Sequence, residues 1–190
     1  DAAMTARPRN TEPIPPPAAR SAEQALSPHL ELMKKTARRG TDRQMAVTGM
    51  LMLWLGDDIN AAVNGALAAH GVSENKLDIL MLFDLAERCL LEVEALTPSF
   101  ISAYFGVTRS SVTGLIDWLE QRELLARKAR EEDRRSLRLE LTQQGRDLLH
   151  GAMPDFWHAC ADIVSPLSAT EREALHLSLS KIWLHQKQKK

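Results

Sequence analysis

Two short helical stretches about a glycine turn, with an alternating hairpin close behind, leave this chain few folds to choose from. Thr97-Pro98 opens the first stretch with a capping hydroxyl and a proline suited to the first helical turn. Gly106 closes it, and Thr108 starts the second at once, with Val112, Leu115, Ile116 and Leu119 on one face. Two short helices joined this tightly predict a helix-turn-helix. Leu124 to Arg130, a charged tip Glu131-Glu132-Asp133-Arg134-Arg135, and Leu137, Leu139 and Leu141 alternating with Arg138 and Glu140 then predict a β-hairpin. The order is that of a winged helix-turn-helix.

The rest of the chain reads as helix. Residues 1–20 carry Pro8, Pro13, Pro15, Pro16 and Pro17 with little to bury, which predicts a disordered, proline-rich arm. Asp1-Ala2-Ala3 ahead of Met4 reads as the remnant of an added tag. A short helix is expected from Ser21 to Arg39, broken by Gly40. Asp42 should cap a long helix with Val47, Leu51, Leu55, Ile59, Val63 and Leu67 every four residues, ending at Gly71. Ser73 should cap the next, running to about Cys89. Thr142 should cap a helix bent at Pro154, and a last helix is expected from Ser168 to His185.

The expected class is mainly α with a small β-wing, in the order α-α-(β)-α-α-β-β-α-α, with an optional strand ahead of the helix-turn-helix. Residues 73–141 are expected to form the DNA-binding winged helix, between N-terminal helices at 21–71 and C-terminal helices at 142–190.

Composition sets the outer limits. Lys and Arg number 24 against 25 Asp and Glu, so the whole chain is no polycation. A nucleic-acid footprint is local, however. Between Arg122 and Arg138 there are seven basic residues and four acidic ones. Over residues 1–43 the balance is eight to five, so the arm is expected to add nonspecific affinity or a contact between subunits. Two cysteines, Cys89 and Cys160, fit neither a disulfide scaffold nor a four-cysteine zinc site. No leader peptide is evident, and Asp57, Asp58, Asn60 and Asn64 interrupt the most apolar stretch, so a cytoplasmic, nucleoid-associated protein without a membrane partner is expected. A glycine-rich phosphate loop, a nucleophile elbow and a His-Glu metal motif are all missing. We therefore expect no enzyme, no cofactor, no catalytic residue and no metal ligand.

A recognition helix presents the polar side chains of its first turn to base edges in the major groove. Thr108, Arg109, Ser110, Ser111 and Thr113 occupy that turn, opposite Val112 and Ile116. Arg109 suits a bidentate guanine contact, and the hydroxyls suit phosphates. The alternative is that these hydroxyls only cap and solvate the helix.

The run LTPSFISAYFGVTRSSVTGLIDWLEQRELLARKAREEDRRSLRLELTQQGRDLL resembles the multiple-antibiotic-resistance regulator (MarR) family. Its most specific parts are Asp133-Arg134-Arg135-Ser136 and, after the second strand, Thr142-x-x-Gly145. The resemblance implies a homodimeric transcription regulator, chiefly a repressor, that dimerises through residues 21–71 and 142–190 and binds a pseudo-palindromic operator in duplex DNA. It places Ser99 and the Thr108–Thr113 turn on DNA, with Arg127, Lys128, Arg130, Arg134 and Arg135 in the wing and Asp133 orienting an arginine. It further implies release by a small effector, expected to be an aromatic carboxylate, with Met50, Trp54, Asp58, His70, Met81 and Trp118 as candidate contacts. Gly114, Trp118 and Glu123 depart from the family pattern, which has larger or basic residues at the first two and a helix-ending glycine at the third. A redox- or metal-responsive regulator of the same fold and a protein-docking winged helix are the alternatives.

Overall fold

A computed structural model describes residues 21–129 and 137–189. The chain divides after Asp57 into two compact units, Asp1–Asp57 and Asp58–Lys190. The expected arm, residues 1–20, lies outside the described residues.

The first unit holds α1 (Ala22–Thr36) and the start of α2 (Arg43–Leu67). Ser21 caps α1, its hydroxyl accepting from Gln24 N at 3.3 Å. Asp42 caps α2 as its position predicts, Oδ1 accepting from Met45 N at 2.8 Å. Leu26 is buried, and the His29 ring meets Trp54 edge-on with centroids 4.9 Å apart. Much apolar surface stays in solvent, with Met45 75% and Leu53 72% exposed.

The second unit begins with the end of α2 and a single 3-10 turn, Ala68–His70, stopped by Gly71 in the left-handed region at φ +66°. Then follow α3 (Glu74–Glu87), α4 (Pro98–Phe105), α5 (Arg109–Gln121), β1 (Leu125–Ala129), β2 (Leu137–Leu141), α6 (Gln143–Ile163) and α7 (Ala169–Gln188). β1 and β2 pair antiparallel with Leu125 opposite Leu141 and Arg127 opposite Leu139. The optional strand before the helix-turn-helix is not formed, since residues 88–97 run as turns and irregular chain.

One core unites this unit. Leu77, Leu80, Leu82 and Phe83 of α3 meet Ile101 of α4, Ile116 and Leu119 of α5, the hairpin residues Leu125 and Leu141, and Leu149 of α6. Full burial of each such side chain is worth about 1.5–3 kcal/mol. The first half of α6 thus helps to close the winged core. α6 runs on through Pro154, whose missing N–H leaves the His150 carbonyl without its helical donor. The α7 helix starts with a reciprocal capping box between Ser168 and Glu171, yet buries none of its residues.

Ser73 corrects one expectation. It holds the N-cap position of α3, but its side chain makes no capping bond. Asn64 of α2 does that work instead, Oδ1 accepting from Glu74 N at 2.9 Å, while Ser73 Oγ donates to Asn75 Oδ1 at 2.7 Å. An amide ten residues upstream thus serves the first N–H of the helix, and the local hydroxyl serves a side chain.

Candidate nucleic-acid interface

The turn between α4 and α5 is built by two caps and a glycine. Thr97 Oγ1 accepts from Phe100 N at 3.1 Å, and Gly106 ends α4 at φ +70°. Thr108 caps α5, its hydroxyl accepting from Ser111 N at 3.2 Å and lying 3.1 and 2.8 Å from the hydroxyls of Ser110 and Ser111. Val112, Ile116 and Leu119 face inward, fully buried. Arg109, Ser110, Ser111 and Thr113 face solvent on the same first turns. Ser99 is exposed in the first turn of α4, where its carbonyl accepts from Ser102 Oγ.

The hydroxyls divide in role. Thr108 is engaged in capping, and Thr113 Oγ1 donates to the Arg109 carbonyl at 3.0 Å. Arg109 differs from both: its guanidinium has no partner among the described residues. Beside it, a Cβ at Gly114 would meet nothing within 4 Å, so the outer face of α5 is open there.

The wing base is committed within the protein. Arg127 forks onto Glu120 of α5 at 2.8 and 2.9 Å, with Asp117 at 3.9 Å. The hydrogen bonds Arg127 donates to Glu120, and the carboxylate's charge, raise the Arg127 pKa further. Lys128 and Arg138 stand opposite each other across the hairpin, a repulsive register. Glu140 neutralises it, taking Lys128 at 2.7 Å and Arg138 Nε at 2.6 Å. The hydrogen bond from Lys128 holds the Glu140 carboxyl below its usual range against the opposing effect of burial, with Arg138 assisting. Arg127 thus ties β1 to α5 through its pair with Glu120. Arg130, Asp133, Arg134 and Arg135 lie outside the described residues.

A second latch fixes the hairpin to α6. Thr142 Oγ1 accepts from Gly145 N at 2.9 Å and donates to the Glu123 carbonyl at 2.6 Å. A Cβ on Gly145 would stand 2.2 Å from the Leu124 carbonyl oxygen, so only glycine fits. This explains physically why Thr142 and Gly145 belong together. Glu123 takes φ +57°, the left-handed conformation that glycine adopts without strain. The helix-ending geometry persists although the side chain is present.

The candidate effector contacts fall in different surroundings. Met50 and Trp54 belong to the first unit, half-buried and 38% exposed. In the second, Asp58 is exposed and Met81 packs on the core. His70 Nε2 pairs with Asp155 Oδ2 at 2.6 Å. Trp118 also packs on the core, and its ring carries Lys76 Nζ at 4.2 Å and Arg122 Cζ at 3.9 Å from its centroid. The sequence reading missed this stack, as well as Asp117 and Glu120. The signal available for the latter was a pair of acids one turn apart on the face of α5 nearest the basic strand.

Cys160 is half-buried, and burial, with help from Asp78 and Glu74, pushes its thiol up. That disfavours the reactive thiolate a redox switch needs. Asp78 itself is pushed up to about 7, first by burial and then by the Glu74 carboxylate. Among the described residues, no three His, Cys, Asp or Glu side chains gather as a metal site, and no helix is long and apolar enough to cross a membrane.

Residues 88–137 match the MarR family profile. The chain is 30% identical over 112 residues to the transcriptional repressor MprA of Escherichia coli (strain K12), covering 59% of this chain and 61% of that protein. It is 30% identical over 131 residues to the HTH-type transcriptional regulator MhqR of Bacillus subtilis (strain 168), covering 68% and 85% respectively. Among solved structures, CouR from Rhodococcus jostii RHA1 bound to p-coumaroyl-CoA superposes with a TM-score of 0.57 at 27% identity, over 71% of this chain and 90% of that one. The chain thus spans about three fifths of MprA and most of the other two.

Proposed function

This chain belongs to the MarR family, and from that premise we propose that it is a sequence-specific DNA-binding repressor that acts as a homodimer on a pseudo-palindromic operator. The observation that carries the reading is the exposed first turn of α5. It offers an uncommitted Arg109 among hydroxyls, directly above a fully buried Val112/Ile116/Leu119 face, with a hairpin locked beside it. A helix so anchored can enter the major groove as a rigid body, with Arg109 aimed at a guanine edge.

Charge supports a division of labour. Arg127 and Lys128 set the angle of the wing, and Arg130, Arg134 and Arg135 are the wing residues proposed to meet DNA, a role resting on the sequence pattern. Ser99, Ser110 and Ser111, all exposed, are proposed to hold phosphates. Two copies are needed because half-sites read by such helices lie one helical turn apart, ~34 Å. The exposed apolar stripe of α7 is proposed to supply the dimer contact.

A small effector completes the proposal. CouR binds p-coumaroyl-CoA, which supports an aromatic carboxylate or its thioester acting as a ligand that shifts the population between DNA-competent and incompetent states.

The direct test is fluorescence anisotropy with a duplex from the protein's own promoter and a scrambled duplex of equal length. The reading predicts at least ~10³-fold preference for the promoter at physiological salt. Equal binding to both would refute it.

A further inference from the structure

The winged unit holds an open cavity of about 540 Å³, within the size range of small-molecule sites. The end of α3, the α3–α4 connector, β2 and the start of α6 converge on it. None of the six side chains expected to meet an effector lines it. Phe83, Val93, Leu96 and Leu139 supply an apolar wall.

The charges around that wall are unevenly committed. Arg146 is gripped by both oxygens of Glu87, at 2.9 and 3.1 Å. Arg138 is held by Glu140, which also takes Lys128. Both guanidiniums facing the cavity are therefore paired with carboxylates. Glu94 is exposed, and its side chain has no hydrogen-bond or ion-pair partner among the described residues. An incoming carboxylate meets guanidiniums whose charge is already offset by Glu87 and Glu140. An incoming cation finds an uncommitted carboxylate beside apolar surface.

We propose that this cavity binds an organic cation, a protonated amine on an apolar body, with Glu94 as its charge partner. The cavity touches Thr97 and Pro98, which start α4, and Arg138 to Glu140 of the wing strand. An occupant thus bears on the angle between helix-turn-helix and wing. That consequence rests on the regulator reading, whereas the binding itself does not. The site is also distinct in charge preference from one for an aromatic acid.

Isothermal titration of the full chain with 4-phenylbutylamine and with 4-phenylbutyrate compares a cation and an anion on one apolar body. The proposal predicts that the amine binds at least roughly tenfold more tightly, a difference of about 1.4 kcal/mol. Glu94→Gln should weaken the amine about three- to fivefold, the scale of an exposed ion pair. Glu94→Lys should weaken it further and narrow the gap to the acid. Position 94 is exposed, so both variants should keep the wild-type melting curve. Absence of amine binding, equal affinity for both compounds, or an amine affinity indifferent to both substitutions would overturn the proposal. Promoter binding in the same preparation separates the two readings. A protein that binds its promoter without preferring the amine keeps the regulator and loses this site, and the reverse result does the opposite.

Discussion

Helices α5 and α7 both start from well-made caps and both carry apolar residues, yet those residues meet opposite fates. In α5, Val112, Ile116 and Leu119 are fully buried against the chain's own core. In α7, Leu175, Leu179, Ile182 and Trp183 recur at the i, i+4, i+7, i+8 spacing of one helical face, and all are 36% or more exposed. Large exposed apolar patches generally mark interaction sites. The contrast separates what the chain completes alone, the winged core, from what a second copy is proposed to complete.

The largest expected effect lies on the side the chain closes for itself. Ile116→Ala should cost ~2–5 kcal/mol of stability through the cavity it leaves. Urea unfolding checks this, and a loss below ~1 kcal/mol would show that α5 is not anchored as described. Next comes α7. Leu179→Asp with Trp183→Asp should weaken self-association by roughly thirtyfold or more, as for loss of interface anchors. Sedimentation should then give the monomer mass while the helical circular-dichroism signal persists. A variant that keeps the wild-type mass would place the dimer contact elsewhere. The smallest effect tests the join between recognition helix and wing. Glu123→Gly should stabilise by ~1 kcal/mol, because the left-handed backbone strains a side chain but not glycine. A destabilised variant would mean that the Glu123 side chain contributes more than its backbone costs.

Local chemistry was the legible part of this molecule. Capping hydroxyls, helix-ending glycines and the period-two hairpin predicted α4, α5, β1 and β2 almost to the residue, because those signals act within a few positions. Ser73 failed since its hydroxyl turns to the Asn75 side chain, while Asn64, distant in sequence but near in space, serves the Glu74 N–H. The candidate site was legible in its residues and not in their commitments. Arg127 and Lys128 read as DNA contacts in sequence, and their pairing with Glu120 and Glu140 appears only where the fold brings those acids near. The cavity beside β2 was invisible for the same reason. Its walls come from four elements that only tertiary structure gathers.

The central claim is that Arg109 reads DNA while Arg127 only holds the reader in place. Promoter and scrambled duplexes titrated with Arg109→Ala and Arg127→Ala decide it. Arg109→Ala should lose ~1–3 kcal/mol on the promoter and little on the scrambled duplex, relaxing one base position. Arg127→Ala should weaken both duplexes by a similar, smaller factor. If Arg127→Ala abolished promoter preference and Arg109→Ala left it intact, the roles assigned to recognition helix and wing base would be reversed.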